Sequence, residues 1–71
     1  MATSAAFNRL YDYHVKLDNV YYQGVNDGYY NGYYGNLYGD TVKEKTFKSK
    51  DFNDAYKRGY NKGYHNGWLD T

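Results

Sequence analysis

Glycines and apolar residues recur along the first half of this 71-residue chain at steps of three and four positions. At about 100° per residue such positions fall on one arc of an α-helix, whereas a half-buried strand has a period of two. We therefore predict a long first helix over residues 4–38. The stripe on its packed face consists of Leu10, Leu17, Tyr21, Gly24, Gly28, Gly32 and Gly35.

The same spacing returns near the C-terminus, where Gly59, Gly63 and Gly67 follow one another every four residues. It predicts a second, shorter helix over residues 51–69. Ser49 or Asp51 has the side chain of a helix N-cap and precedes this pattern.

The two glycine-bearing segments are also similar to each other. Tyr21–Tyr34 (YYQGVNDGYYNGYY) aligns with Tyr56–Leu69 (YKRGYNKGYHNGWL) at an offset of 35 residues, with seven identities in fourteen positions. This match indicates a degenerate 35-residue repeat within a single domain, residues 1–71.

Each interior glycine disfavours a helix by roughly 1 kcal/mol relative to alanine, so a glycine-rich helix needs a compensating contact. Close approach of another backbone, or tyrosine rings seated against the smooth face, supplies one. The alternative is a helix that ends near Tyr22, with irregular chain beyond it. We expect an all-α, antiparallel helical hairpin with glycine-stripe packing, whose small core drives it to form a homo-oligomer.

Four lysines, Lys43, Lys45, Lys48 and Lys50, lie in or beside the predicted connection, residues 40–49. They form either a solvated loop or a basic patch for an acidic protein surface or a phosphate group. The net charge of the chain is only +1, so bulk charge does not favour binding to a long nucleic acid.

Composition narrows the remaining function classes. The chain has no cysteine, which excludes disulfides and thiolate metal sites, and it has no apolar run of membrane-spanning length. We expect a cytoplasmic protein without membrane contact. His14 falls on the packed stripe, where we expect a core histidine, and no cluster of catalytic or metal-ligating residues surrounds it. We expect no enzyme, no cofactor and no metal.

The twelve tyrosines remain as the main chemical feature, since tyrosine combines a large rigid area with a polar tip. The second segment also carries basic residues where the first has none. The binding residues that we predict are Tyr29, Tyr30, Tyr33, Tyr34, Lys57, Arg58, Tyr60, Lys62, Tyr64, His65 and Trp68.

These residues favour a non-enzymatic interaction protein that binds and blocks a macromolecular partner, most simply a protein. Small cysteine-free, tyrosine-rich domains are typical of phage-encoded inhibitors of host or defence proteins. One alternative is a carrier that holds a small anionic ligand, such as a nucleotide, between protomers by tyrosine stacking and by Lys57, Arg58 and Lys62. Another is a structural protein that self-assembles through its glycine faces.

The segment Ala55–Trp68, AYKRGYNKGYHNGW, resembles the RGYxxGxxxG stretch of ribosome modulation factor-type proteins. The resemblance rests on glycine spacing, and the Pro-Tyr element of that family is missing here. It therefore implies no activity for this chain.

Overall fold

The long first helix continues through every glycine of the stripe. A computed structural model describes residues 2–71 and the side chains of residues 9–71. Helix α1, Ala2–Tyr30, passes directly into a π-helical segment, Asn31–Gly35, and a last α-helical turn, α2, Asn36–Tyr38. Helix α3 spans Lys50–Leu69. Residues 2–71 contain no strand, so the predicted all-α chain of one long and one shorter helix is confirmed, and the alternative of a helix ending near Tyr22 is wrong.

The two helices lie side by side and run in the same direction. Gly24 of α1 faces Tyr56 of α3, and Gly32, two turns further along, faces Tyr64. At the far end, Asn36 donates a hydrogen bond to the Thr71 hydroxyl over 2.9 Å. A hairpin of two packed helices is thus present, but the antiparallel direction that we expected for it is wrong.

A long extended connection, residues 39–49, makes the parallel arrangement feasible. We call it the strap. Gly39, with a φ of +70°, ends the first helix in the left-handed conformation that glycine adopts without strain. Eleven extended residues reach at most about 40 Å, which exceeds the roughly 30 Å length of a 20-residue helix. The strap therefore returns the chain to the level at which α3 starts, where Ser49 caps α3 by accepting a hydrogen bond from the Phe52 amide over 3.4 Å.

Backbone-to-backbone contact along the glycine faces holds the helices close together. A Cβ atom placed on Gly28 would overlap the Tyr60 carbonyl oxygen and lie 2.8 Å from its carbon. One placed on Gly63 would overlap the Val25 carbonyl oxygen and lie 2.8 Å from the Tyr29 nitrogen. Six glycines are buried in this way against the backbone of the opposite helix: Gly24, Gly28, Gly32, Gly59, Gly63 and Gly67.

The side-chain core is small and lies between the strap and the middle of the helix pair. Val20, Ala55 and Tyr56 are its buried members. The partly buried residues packed around them are Leu17, Tyr21, Phe47, Phe52 and Tyr60.

Two stripe residues near the start of α1 lie outside this core. Leu10 is 61% exposed, because α3 starts further along the pair and does not cover it. His14 is exposed too, so the core position expected for it is wrong. The first turn of α3 reaches only this level, where Asp51 accepts a hydrogen bond from Tyr13.

Among the described helices, none has both the length and the apolar character needed to cross a membrane.

Candidate interaction surface

Five tyrosine rings form a connected network on the second half of the long helix. We call it the aromatic cluster. Tyr34 lies at its centre, with ring centroids 4.7 Å from Tyr30, 4.9 Å from Tyr33 and 6.1 Å from Tyr38. Tyr29 stacks on Tyr33 at 6.0 Å with nearly parallel planes. Tyr34 remains 40% exposed and Tyr38 remains 72% exposed, so the cluster is a surface and not a core.

Carboxylates at both ends of the cluster fix two of its rings. The Tyr29 hydroxyl donates to Asp70, just beyond the end of α3, and the Tyr30 hydroxyl donates to Asp40 at the start of the strap, each over 2.5 Å. These hydrogen bonds raise the pKa of both tyrosines, because the neutral hydroxyl is the donor. These two hydrogen bonds thereby hold both rings in place.

Asn31 connects the first helix, the strap and α3. It is only 6% exposed and stands at the start of the π-helical segment. Its side-chain oxygen accepts from the Val42 amide over 2.7 Å, and its nitrogen donates to the Val42 carbonyl and to the Tyr60 hydroxyl, each over 2.9 Å. One amide side chain thus pairs with both backbone groups of Val42, as a neighbouring strand would.

Asp27, one turn earlier, anchors the middle of the strap. Its carboxylate accepts from the Lys45 ammonium over 2.7 Å and from the Tyr56 hydroxyl over 2.6 Å. Burial favours the neutral acid, but these two hydrogen bonds outweigh it and lower the pKa of Asp27. Tyr56 is 1% exposed, and its burial together with the bond to Asp27 raises its pKa to about 12. Lys45 is therefore part of a structural contact and not of a free basic patch.

The binding residues predicted on α3 fall into two groups. Tyr60 is partly buried, and its hydroxyl accepts the bond from Asn31, so it connects the helices. The others are exposed: Lys57, Arg58, Lys62, Tyr64, His65 and Trp68. The bond from Tyr29 to Asp70 brings the aromatic cluster to the end of α3, near exposed Trp68.

The basic residues of α3 do not join the five-ring network. Arg58 instead lines a surface pocket of about 380 Å³ together with Tyr21 and Tyr22, on α1. His14 lines the same pocket, whereas His65 lies on α3. No group of three or more histidine or acidic side chains with the geometry of a metal site occurs among the described residues.

Asn31 and Asp27 are the positioning residues that the sequence did not single out. A signal for Asn31 was available, since it is one of the two asparagines that coincide in the 35-residue alignment. No signal identified Asp27, because the aligned residue is Lys62 and its partner Lys45 belongs to a connection outside the alignment.

Comparisons with protein-family models, with curated proteins and with solved structures found no match.

Proposed function

We propose that this chain is a non-enzymatic interaction protein that binds a partner protein through the aromatic cluster and blocks it. The observation that carries the proposal is the exposure of a connected tyrosine network, in which Tyr29, Tyr34 and Tyr38 are 37%, 40% and 72% exposed. Tyrosine is enriched among the residues that dominate binding energy, because its ring buries a large area and its hydroxyl satisfies a polar neighbour. A short, cysteine-free and tyrosine-rich chain is typical of phage-encoded inhibitors, and this analogy supports a blocking role.

The anchoring of Tyr29 and Tyr30 supports the same proposal. Each flexible side chain that a complex immobilises costs about 0.5–1.5 kcal/mol, and a ring held beforehand avoids part of that cost. Tyr34 and Tyr38 lie between these anchors and the solvent and offer the accessible area. The cluster is thus rigid at its base and open at its centre, as a binding surface should be.

Affinity capture followed by measurement with the purified partner tests the proposal. Tyr34→Ala combined with Tyr38→Ala should weaken binding at least tenfold and should relieve inhibition of the partner's own activity. Tyr11→Ala combined with Val15→Ala is the matched control, since both side chains are exposed and lie outside the aromatic cluster and the surface pocket. Equal affinity of the two double variants and the wild type would refute the role of the cluster.

We further propose that the chain works as a homo-oligomer, because three buried hydrophobic side chains among residues 9–71 make a small core. Leu10 is exposed and belongs to the surface offered for this contact, whereas the six buried glycines of the predicted oligomer face already pack against the opposite helix of the same chain. Native mass spectrometry of the protein as purified tests it: integer multiples of the chain mass support the oligomer, and a sharp monomer at all concentrations contradicts it. Extra mass matching a nucleotide at each site would favour the carrier alternative, and unlimited growth would favour self-assembly.

A further inference from the structure

The contacts between the two helices are related by exchange of the helices with a shift of 35 residues. The Cβ position of Gly24 meets the Tyr56 carbonyl, and the Cβ position of Gly59 meets the Tyr21 carbonyl. Gly59 stands 35 positions after Gly24, and Tyr56 stands 35 positions after Tyr21. Two further contacts follow the same rule: Gly28 with Tyr60 and Gly63 with Val25, and Gly32 with Tyr64 and Gly67 with Tyr29. Exchange of two parallel helices amounts to an approximate two-fold axis along the pair, so the grooves on its opposite sides are equivalent in shape.

The strap fills one of these grooves, which we call the strap groove. Three of its contacts there differ in chemistry. Val42 pairs with Asn31, and Lys45 bonds to Asp27 over 2.7 Å. Phe47 packs at the end of the strap groove near the start of α3, with its ring centroid 5.6 Å from that of Tyr56. The strap groove is therefore a site for an extended segment with an aliphatic residue, a charged residue three positions on, and an aromatic residue two positions further.

The equivalent positions on the other side form an open groove. The rings next to Phe47 in the strap groove are those of Phe52 and Tyr56, and 35 positions away from them stand Leu17 and Tyr21. Both line the surface pocket of about 380 Å³, and so does Ala55, the counterpart of Val20. Asn53, which accepts from the Phe47 amide over 3.3 Å, corresponds to Asp18, and Asp18 lines that pocket too. The open groove therefore reproduces the aromatic pocket and its backbone acceptor.

The charge of the open groove differs at the position that selects the middle residue. Lys62 stands where the strap groove has Asp27, and Arg58 lines the pocket one turn away, whereas Asn66 matches Asn31. A second copy of the strap would place Lys45 against Lys62, which like-charge repulsion disfavours. An acidic residue at that position meets an ammonium group instead.

We propose that the open groove binds an extended segment of a partner protein that carries an aliphatic residue, an aspartate or glutamate three positions on, and a phenylalanine or tyrosine two positions further. The aliphatic residue lies beside Asn66, the acid beside Lys62, and the ring in the pocket of Leu17, Tyr21 and Ala55. The segment runs opposite to the helices, as the strap does. None of the residues named for this site belongs to the aromatic cluster, and the proposal does not depend on the role proposed for that cluster.

Two synthetic peptides test the proposal. One is the strap sequence Thr41–Ser49 with Lys45→Glu, and the other is the same sequence unchanged. In amide correlation NMR spectra of the full chain, the glutamate peptide should shift the resonances of Leu17, Tyr21 and Ala55. It should bind roughly fivefold or more tightly than the lysine peptide, as expected for replacing a surface charge repulsion by an attraction.

Charge reversal on the protein supplies the decisive control. Lys62→Glu should invert the preference between the two peptides, whereas Lys16→Glu, at an exposed residue of α1 that does not line the pocket, should leave it unchanged. Circular dichroism checks that both variants remain folded. The proposal is overturned by the absence of shifts up to about 1 mM peptide, by equal affinity for both peptides, or by shifts confined to the aromatic cluster. A loss of partner binding in the Tyr34 and Tyr38 variant leaves this result unaffected, so the two proposals fail separately.

Discussion

Replacing Gly28 by alanine should destabilise the fold, although alanine is the better helix former. The new methyl group would overlap the Tyr60 carbonyl oxygen and lie 2.8 Å from the carbonyl carbon and 2.9 Å from the Cα. Ordinary contact at a Cβ begins near 3.4 Å. All three obstructing atoms belong to the backbone of α3, so no change of rotamer relieves the clash and the helices themselves must separate.

The magnitude follows from that separation. Restoring contact to the carbonyl carbon alone requires 3.4 − 2.8 = 0.6 Å, and the oxygen requires more. A gap of about 0.5–1 Å removes a quarter to a half of the dispersion energy of the atoms it separates, and it extends to the neighbouring glycine contacts. Overpacking of this kind costs up to about 3 kcal/mol, while alanine regains roughly 1 kcal/mol of helix propensity. We expect a net loss of about 2 kcal/mol, or roughly 8–16 °C in Tm for a domain of this size.

Thermal unfolding followed by circular dichroism, at one fixed protein concentration, measures this loss. Gly63→Ala should behave alike, since its methyl group would overlap the Val25 carbonyl oxygen. Gly35→Ala is the matched control, because its methyl group would meet a side-chain methyl of Thr41 at 3.0 Å and a small rotation of Thr41 relieves it. A Tm for Gly28→Ala at or above that of the wild type would refute the close backbone packing.

Three other substitutions or conditions give distinct results. Asn31→Ala leaves the Val42 backbone groups without their partner and should lower the unfolding free energy by about 1–3 kcal/mol in urea, whereas exposed Asn26→Ala should change it little. Tyr56 keeps its proton in the folded state up to about pH 12 but loses it near pH 10 when unfolded. Its contribution to the unfolding free energy is therefore complete below pH 10, and about 2–3 kcal/mol of it is lost as the pH rises towards 12. The Tyr56→Phe variant should show a flatter alkaline unfolding profile. Gly39→Ala should cost about 1–2 kcal/mol through its φ of +70° alone, since a Cβ there meets nothing within 4 Å, and Gly39→Asn should cost less.

Much of the secondary structure could be predicted from the sequence because the glycine and apolar positions keep helical spacing throughout. The spacing identified both helices, and the Ser49 side chain marked the start of the second. It also identified six of the seven predicted packing glycines correctly as facing a helix, whereas the seventh, Gly35, faces Thr41 of the strap. Four rings of the aromatic cluster, Tyr29, Tyr30, Tyr33 and Tyr34, are among the predicted binding residues, whereas Tyr38, its most exposed ring, is not.

The direction of the second helix could not be predicted from the stripe. A glycine face is smooth in both directions, so helical spacing fits a parallel and an antiparallel pair equally well. The deciding feature is the connection: antiparallel neighbours are joined by about 2–8 residues, and the eleven residues of the strap are long enough to return the chain. The error at His14 has another cause: helical spacing placed it on the stripe, but it lies at the start of the helix pair, where only the first turn of α3 is at its level.

The difference in charge between the two segments determines which of the two grooves the strap occupies. Shape alone would offer it two grooves, since Tyr21 and Val25 stand on one side of the pair as Tyr56 and Tyr60 stand on the other. Asp27 attracts Lys45 on the side that the strap occupies, and the matching position on the other side holds Lys62, which repels it. The shared glycine and asparagine positions thus hold the helices together, while the positions that differ determine how the chain is connected. The same difference leaves the open groove unsuited to the chain's own strap and suited to an acidic segment from elsewhere.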